Sequence, residues 1–229
     1  MIICHKHKFI FLKTSKTAGT STEIALSKFC GPDDVITTTD EPDEKIRRSL
    51  GYPGPQNYLW PVSEWRMRDY IRLVRRRPRR EKYKHHDTAA YVKNLVGNDI
   101  WESYYKFCTV RNPYERFVSY YYNMHPEPPR PTMHEFLNRG IKELNENGLD
   151  VYTIDGEVAV DKLCLYENLA EDMEAVRLRI GLADRIELPN AKSNFRKDKR
   201  RYTEHLDEEL IESIRKAFAW EIETFGYGS

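Results

Sequence analysis

Residues Lys8–Glu23 read KFIFLKTSKTAGTSTE, and the fold class turns on them. KFIFLK is an apolar run of strand length, rich in aromatic and branched residues, and reads as a buried strand. Thr14 to Gly19 is a polar loop. Thr20 or Ser21 is then suited to cap a helix running through Glu23, Ile24, Ala25 and Leu26. A strand that feeds a helix in this way places the loop outside its carboxyl end, where open α/β sheets bind ligands. The helix start supplies free N–H groups and the positive end of a dipole. Ala18 and Gly19 let an anion approach the backbone, Thr17, Thr20 and Ser21 add hydroxyls, and Lys16 adds a full charge. The stretch Lys13, Thr14, Ser15, Lys16, Thr17, Ala18, Gly19, Thr20 and Ser21 therefore describes a phosphate or sulfate cradle. It is not a nucleotide-triphosphatase loop. That pattern, GxxxxGK[ST], needs its lysine after the glycine, and here Lys16 precedes Gly19.

The same alternation continues outward. Tyr104–Val110 (YYKFCTV) is a second buried strand, Arg111-Asn112-Pro113 a turn, and Pro113 suits the first turn of a helix over Tyr114–Asn123. Ser119 follows Arg111 by eight residues, so a bidentate guanidinium and a hydroxyl can meet a second phosphate. Lys162–Tyr166 (KLCLY) is a third strand, with Asn168 capping a helix to Ile180. Between the first two strands, Pro32, Pro42, Pro53, Pro55 and Pro61 mark an irregular insert with a short helix around Asp43–Leu50. A basic helix is expected over Trp65–Arg77, stopped by Pro78, and another over Thr88–Val96, ended by Gly97. Further expectations are a helix at Thr132–Arg139, a hairpin over Val151–Val160 turning at Asp155-Gly156, and one long amphipathic helix from Leu206 to Phe225. Strands alternating with helices predict an α/β, three-layer fold with a central, mostly parallel β-sheet flanked by helices.

A chain of 229 residues suits one domain, and 40% hydrophobic with 12% aromatic content excludes a disordered chain. No run of 18 apolar residues exists, which excludes a transmembrane helix. The net charge of +1 argues against a dedicated nucleic-acid binder. That figure hides a segregation: Arg66 to Lys84 holds ten basic and two acidic residues, a local +8, so the remainder sums to −7. Such a segment suits a local anionic partner or a solvated face. Cys4, Cys30, Cys108 and Cys164 form no CxxC pair and no metal-ligand spacing with histidine. The apolar start MIICHKHKFIFLK is too short and too interrupted for a signal peptide, and the chain reads as reduced and cytoplasmic.

The loop at Phe9–Glu23 resembles the 5′-phosphosulfate loop of sulfotransferases, in their Golgi-type and bacterial carbohydrate branch, which typically reads PKTAGTS; Ser15 stands at the proline. Arg111-Asn112-Pro113 with Ser119 resembles the family's 3′-phosphate element. His86-Asp87-Thr88-Ala89, Leu165–Leu169 (LYENL), Leu188–Ser193 (LPNAKS) and Phe225-Gly226-Tyr227 resemble further family segments. The resemblance implies a P-loop-like fold, with a single sulfotransferase domain over 1–229 and a variable insert at about 31–82 that carries acceptor specificity. It implies 3′-phosphoadenosine 5′-phosphosulfate as donor, adenosine 3′,5′-bisphosphate as product, and in-line transfer of a sulfuryl group to an acceptor hydroxyl. The family-weighted acceptor is a carbohydrate, including an already anionic glycan, or a small hydroxyl compound. Lys16 is the candidate for charge on the leaving oxygen, Arg111 and Ser119 for the 3′-phosphate, and Lys192 and Ser193 for closure over the nucleotide. His86 is the candidate general base, with His85 second and Glu23 as an acidic alternative. No metal is demanded. Arg116 reads as a solvated helix residue and Glu167 as a structural tie.

Two other classes fit parts of the chain. A polyanion or nucleic-acid binding protein would use the 66–84 segment and the cluster at 192–201, with Trp65, Tyr70 and Tyr83 interleaved. A small-molecule kinase would need the lysine position and magnesium acid that are missing. Two anion motifs in cofactor-site order, within a charge-balanced chain, favour the sulfotransferase.

Overall fold

The computed structural model describes residues 1–189 and 201–228. The chain runs β1 (Ile2–Cys4), β2 (Phe9–Lys13), α1 (Gly19–Ser27), β3 (Val35–Ile36), α2 (Glu41–Ser49), α3 (Met67–Val74), α4 (Ala89–Val96), α5 (Asn98–Ser103) and β4 (Tyr105–Val110). It continues α6 (Pro113–Met124), α7 (Met133–Glu146), β5 (Thr153–Ile154), β6 (Glu157–Val158), β7 (Lys162–Leu165), α8 (Leu169–Arg179), α9 (Glu208–Ala217) and α10 (Ala219–Phe225). The main sheet has the order β3-β1-β2-β4-β7. β2, β4 and β7 pair in parallel, whereas β1 is antiparallel to both β2 and β3. The sheet is thus mostly parallel, with one reversed strand that the sequence reading passed over inside MIIC.

Alternation along β2 sorts the core. Phe9 and Phe11 face Leu26 of α1 and Met173 and Val176 of α8 on one side. Ile10 and Leu12 face Val92 of α4 and Trp101 of α5 on the other. That is the period of two in a strand buried on both faces. Lys13 extends the Phe9–Phe11 row and so delivers its side chain to the α1 face. The helices flanking the sheet make the three layers expected.

Two expectations about the helices are corrected. α1 begins at Gly19, after Ala18 in the left-handed region (φ 62°), with no side-chain cap, so neither Thr20 nor Ser21 caps it. The long C-terminal helix is two helices broken at Phe218 (φ −122°, ψ 30°). The break lets α9 bury Leu210 and Ile214 while α10 brings Glu221 to Arg116. The predicted hairpin forms as β5 and β6, with Asp155 and Gly156 both at positive φ, the requirement of a tight two-residue turn. α7 runs seven residues past Arg139 to Glu146, held at its start by a capping box between Thr132 and Glu135.

Arg116 is not a solvated helix residue. Its side chain is fully buried, 2.7 Å from Glu221 and 3.3 Å from the Leu144 carbonyl, over the ring of Phe218. The Tyr152 hydroxyl donates to the same Glu221 oxygen at 3.1 Å. One buried pair thus ties α6, α7 and α10. Removing one partner of such a pair strands the other charge in the interior. Arg116→Ala is expected to lower unfolding stability by about 3–5 kcal/mol in a urea titration; a change under about 1 kcal/mol would contradict the tie.

Candidate active site

The loops leaving the carboxyl ends of β2, β4 and β7 converge on one cavity of about 460 Å³. β2 supplies the whole stretch from Lys13 to Ser21; β4 supplies Arg111 and, through α6, Ser119, Tyr120 and Asn123; β7 supplies Tyr166. The insert adds Thr38, Thr39 and Asp40, and His85 and His86 complete a wall. The volume lies in the range of small-molecule sites. The sequence-predicted residues from 13 to 21, His86, Arg111 and Ser119 are thus brought together. Lys192 and Ser193 lie outside the described residues.

The loop is shaped from beneath. Lys16 and Ala18 both take positive φ (64° and 62°), which costs a non-glycine residue about 1–2 kcal/mol. Neighbouring contacts hold them there. Thr14 Oγ1 donates to the Thr109 carbonyl at 2.6 Å, and Thr17 Oγ1 lies 2.9 Å from Thr109 Oγ1 and donates to the Thr14 carbonyl at 3.2 Å. Both threonines are buried, and their hydroxyls bind the loop to β4. Left-handed residues alternating with ordinary ones curl a backbone into an anion-binding concavity. Thr20 and Ser21 remain as hydroxyls on the cavity side.

Gly19 has a different reason from the one read in the sequence. A Cβ there would collide with Cγ of Lys13 and sit 2.9 Å from its Cδ. Glycine makes room for the lysine stem. Lys13 Nζ passes under the loop to Glu23, at 2.6 Å, in full burial. Arg47 of α2 reaches the other Glu23 oxygen at 3.3 Å, where Thr37 also donates at 3.1 Å. The Met1 nitrogen stands 2.9 Å from the first oxygen. Burial would raise the Glu23 carboxyl, but Lys13 and the neighbouring cations outweigh it and hold it near 2. Glu23 is absent from the cavity wall, and both its oxygens are engaged by Lys13, Met1, Arg47 and Thr37, so its position argues against the acidic alternative for the base.

His86 is placed by the same lysine. Its Nδ1–H donates to the Lys13 carbonyl at 2.6 Å, which leaves Nε2 as the proton-accepting nitrogen. Burial first, then the charge of Lys13, pushes its pKa down to about 3; His85, packed edge-on at 4.5 Å, is pushed down to about 4 for the same reasons. Lys16 Nζ donates to Asn123 Oδ1 at 2.8 Å. Arg111 lies 4.2 Å over the Tyr166 ring, 3.3 Å from Glu115, with NH1 at 3.5 Å from the Lys16 carbonyl. Asn112 accepts from the N–H groups of Tyr114 and Glu115, and Pro113 occupies the next position. Glu167 is a tie, accepting from the Asn112 N–H at 3.1 Å and the Tyr227 hydroxyl at 3.0 Å.

Asn123 and Tyr166 were missed from the sequence, although each left a signal. Asn123 follows Ser119 by four residues, on one helix face. Tyr166 directly follows the third strand, at its carboxyl end. Cys4, Cys30 and Asp34 bring one potential ligand atom each within 4.8 Å, away from the cavity. There Asp34 already accepts from the N–H groups of His5 (2.6 Å) and Gly31 (2.7 Å) and from the Cys4 thiol (3.1 Å). No helix among the described residues is long and apolar enough to cross a membrane.

One cavity thus joins a strand-to-helix loop with two left-handed residues at the end of β2, an arginine at the end of β4 and two histidines beside them. The chain belongs to the sulfotransferase family: the model described as "Sulfotransferase family" matches residues 1–152, a span that holds the loop, His86, Arg111 and Ser119. It is also similar to an uncharacterized protein of Archaeoglobus fulgidus, 30% identical over 116 residues, covering 48% of this chain and 97% of the relative. No solved structure matches it.

Glu23→Gln leaves Lys13 and Arg47 buried without their counter-charge, and is expected to cost about 3–5 kcal/mol in denaturant titration. Because the folded carboxyl lies below its ordinary value of 4.5, its contribution is complete above that pH and is lost as pH falls toward 2. The variant should therefore show a shallower acid dependence of stability across that window; an unchanged slope would contradict the pairing.

Proposed function

We propose that the protein transfers a sulfuryl group from 3′-phosphoadenosine 5′-phosphosulfate to an acceptor hydroxyl, on a P-loop-like fold that forms one domain with its specificity insert at about 31–82. One observation carries this reading: a single cavity gathers the helix-terminal loop, Lys16, Arg111, Ser119 and a neutral histidine. The residues fit the donor's chemistry. Two separated cationic poles, Lys16 and Arg111, suit two separated phosphate groups, and hydroxyls at Thr20, Ser21 and Ser119 suit their oxygens. When bound, the donor supplies a sulfuryl group already activated by its anhydride to phosphate.

Each side chain then has a defined task. The N–H groups at the start of α1 and the Lys16 ammonium stabilise negative charge at the leaving phosphate oxygen. Arg111, over the ring of Tyr166, and Ser119 hold the 3′-phosphate. His86 Nε2 takes the acceptor's hydroxyl proton as the new S–O bond forms, while the Lys13 carbonyl fixes the tautomer. The low pKa of His86 keeps the ring neutral before the reaction. Anionic groups brought into the cavity favour the imidazolium and so raise its basicity when it is needed. Thr38, Thr39 and Asp40 contribute the insert to the cavity wall, where an acceptor, a carbohydrate hydroxyl by family weight, is selected. The four buried, free cysteines fit a cytoplasmic setting.

A transfer assay with sulfur-labelled donor across carbohydrate and small hydroxyl acceptors tests the activity. Lys16→Ala and Arg111→Ala should each abolish transfer, Arg111→Ala chiefly by weakening donor binding. His86→Ala should preserve donor binding and cut turnover about 10²–10⁴-fold; unchanged turnover removes it as the base. In the free enzyme, protonation of His86 disables the base only near its lowered pKa of about 3. The kcat/KM for the donor should therefore show no histidine limb between pH 8 and pH 5, and a limb at the ordinary value of 6.5 contradicts the assignment.

A further inference from the structure

The basic segment 66–84 takes no part in the cavity wall. Its helix, α3, is pinned by one face to the stretch of the same segment that follows it. Asp69, buried, is gripped by Arg80 through two bonds of 3.1 Å and accepts from the Arg66 N–H at 2.9 Å. At about 100° per residue, Met67, Tyr70, Ile71 and Val74 form a stripe on the side opposite Asp69. That stripe is uncovered: Met67 is 77% and Val74 83% exposed, and Tyr70, Ile71 and the neighbouring Leu73 are exposed as well. Water-facing apolar residues are ordinary singly, but a contiguous stripe of them on one helix marks an interaction surface.

The stripe is framed by positive charge. Ten of the 19 residues from Arg66 to Lys84 are basic and two are acidic. Trp60 lies under Arg80 and Lys82, with the cations 4.4 and 5.3 Å from its ring, and Trp65 lies 5.5 Å from Arg79. The aromatic rings are therefore amphipathic, with a cation on one face. An apolar stripe flanked by Arg and Lys, with tryptophans at its margin, matches the chemistry of a surface that is oily below and anionic above. A soluble polyanion offers nothing to Met67, Ile71 and Val74.

We propose that α3 and its flanking arginines form a docking surface for an anionic lipid bilayer, with the Met67–Ile71–Val74 stripe entering the headgroup boundary and the arginines meeting lipid phosphates. The surface is peripheral, since no described helix is long and apolar enough to span a membrane. Positive charge draws the protein to the bilayer and the stripe holds it there, so binding weakens with salt without vanishing.

The test is flotation of the full chain with vesicles of phosphatidylcholine alone or mixed with phosphatidylglycerol. It reads partition, not transfer, and stands apart from the proposed activity. The protein is expected to float with the anionic vesicles and not with the neutral ones. The combined variant Met67→Ser, Ile71→Ser and Val74→Ser, all at exposed sites, should retain its melting temperature and heparin binding while losing at least about ten-fold in vesicle partition. The variant Arg75→Gln, Arg76→Gln and Arg77→Gln should lose both vesicle and heparin binding. Three results overturn the proposal: no preference for anionic vesicles; vesicle partition untouched by the serine variant, which marks a simple polyanion surface; or a wild-type dimer that the serine variant dissociates, without vesicle binding, which marks a second copy as the occupant.

Discussion

The ion pair between Lys13 and Glu23, closed at 2.6 Å beneath the first loop, is the constraint on which the rest of the site depends. Burying a lysine and a glutamate is costly, and such a pair persists only when its geometry is good and its remaining oxygens are bonded. Arg47 and Thr37 supply those bonds. The lysine stem then occupies the space beside residue 19, which forces glycine there and sets how α1 begins. The backbone carbonyl of the same residue takes the Nδ1–H of His86, and its charge helps to keep that imidazole neutral. Loop shape, helix start, and the orientation and protonation of the candidate base thus all pass through one residue at the end of β2.

A second buried pair, Arg116 with Glu221, does for the helices what the first does for the loop. It joins α6, which carries Ser119 and Asn123, to α7 and α10. This second pair spans 105 residues of chain. Arg47 also ties α2 of the proline-rich insert directly to the carboxylate under the loop, so Thr38–Asp40, just ahead of α2, reach the cavity wall. The sheet therefore positions the site by its strand ends, and the buried charges position the pieces that the sheet does not reach.

Much of this was legible in the sequence for local reasons. KFIFLK and YYKFCTV announce buried strands by composition, Asn112-Pro113 announces a helix start, and Asp155-Gly156 a tight turn; each depends on neighbours in the chain. The loop's anion-binding character was legible for the same reason. What the sequence hid is long-range. Ile2–Cys4 is a short strand whose identity depends on pairing with β2 and β3. Gly19 looked like room for a ligand and is room for Lys13. Arg116 looked like a surface charge because its partner lies 105 residues away, and Glu23 looked like a candidate base because its partners Lys13 and Arg47 lie 10 and 24 residues away. The helix broken at Phe218 has an unbroken amphipathic pattern, and only the reach of Glu221 to Arg116 explains the break.

Net charge misleads in a similar way. A value of +1 suggests indifference to anions, yet the cavity gathers Lys16 and Arg111, and a separate segment concentrates +8 around α3. The central claim is that the cavity over the Lys13–Glu23 pair recognises a nucleotide carrying phosphates at both ends of its ribose. Thermal unfolding with adenosine 3′,5′-bisphosphate tests it most directly, against ATP with magnesium as the comparison. The account predicts stabilisation by the bisphosphate, about 2.7 kcal/mol at one hundred times its dissociation constant. No shift with the bisphosphate, together with a shift from ATP and magnesium, would contradict it.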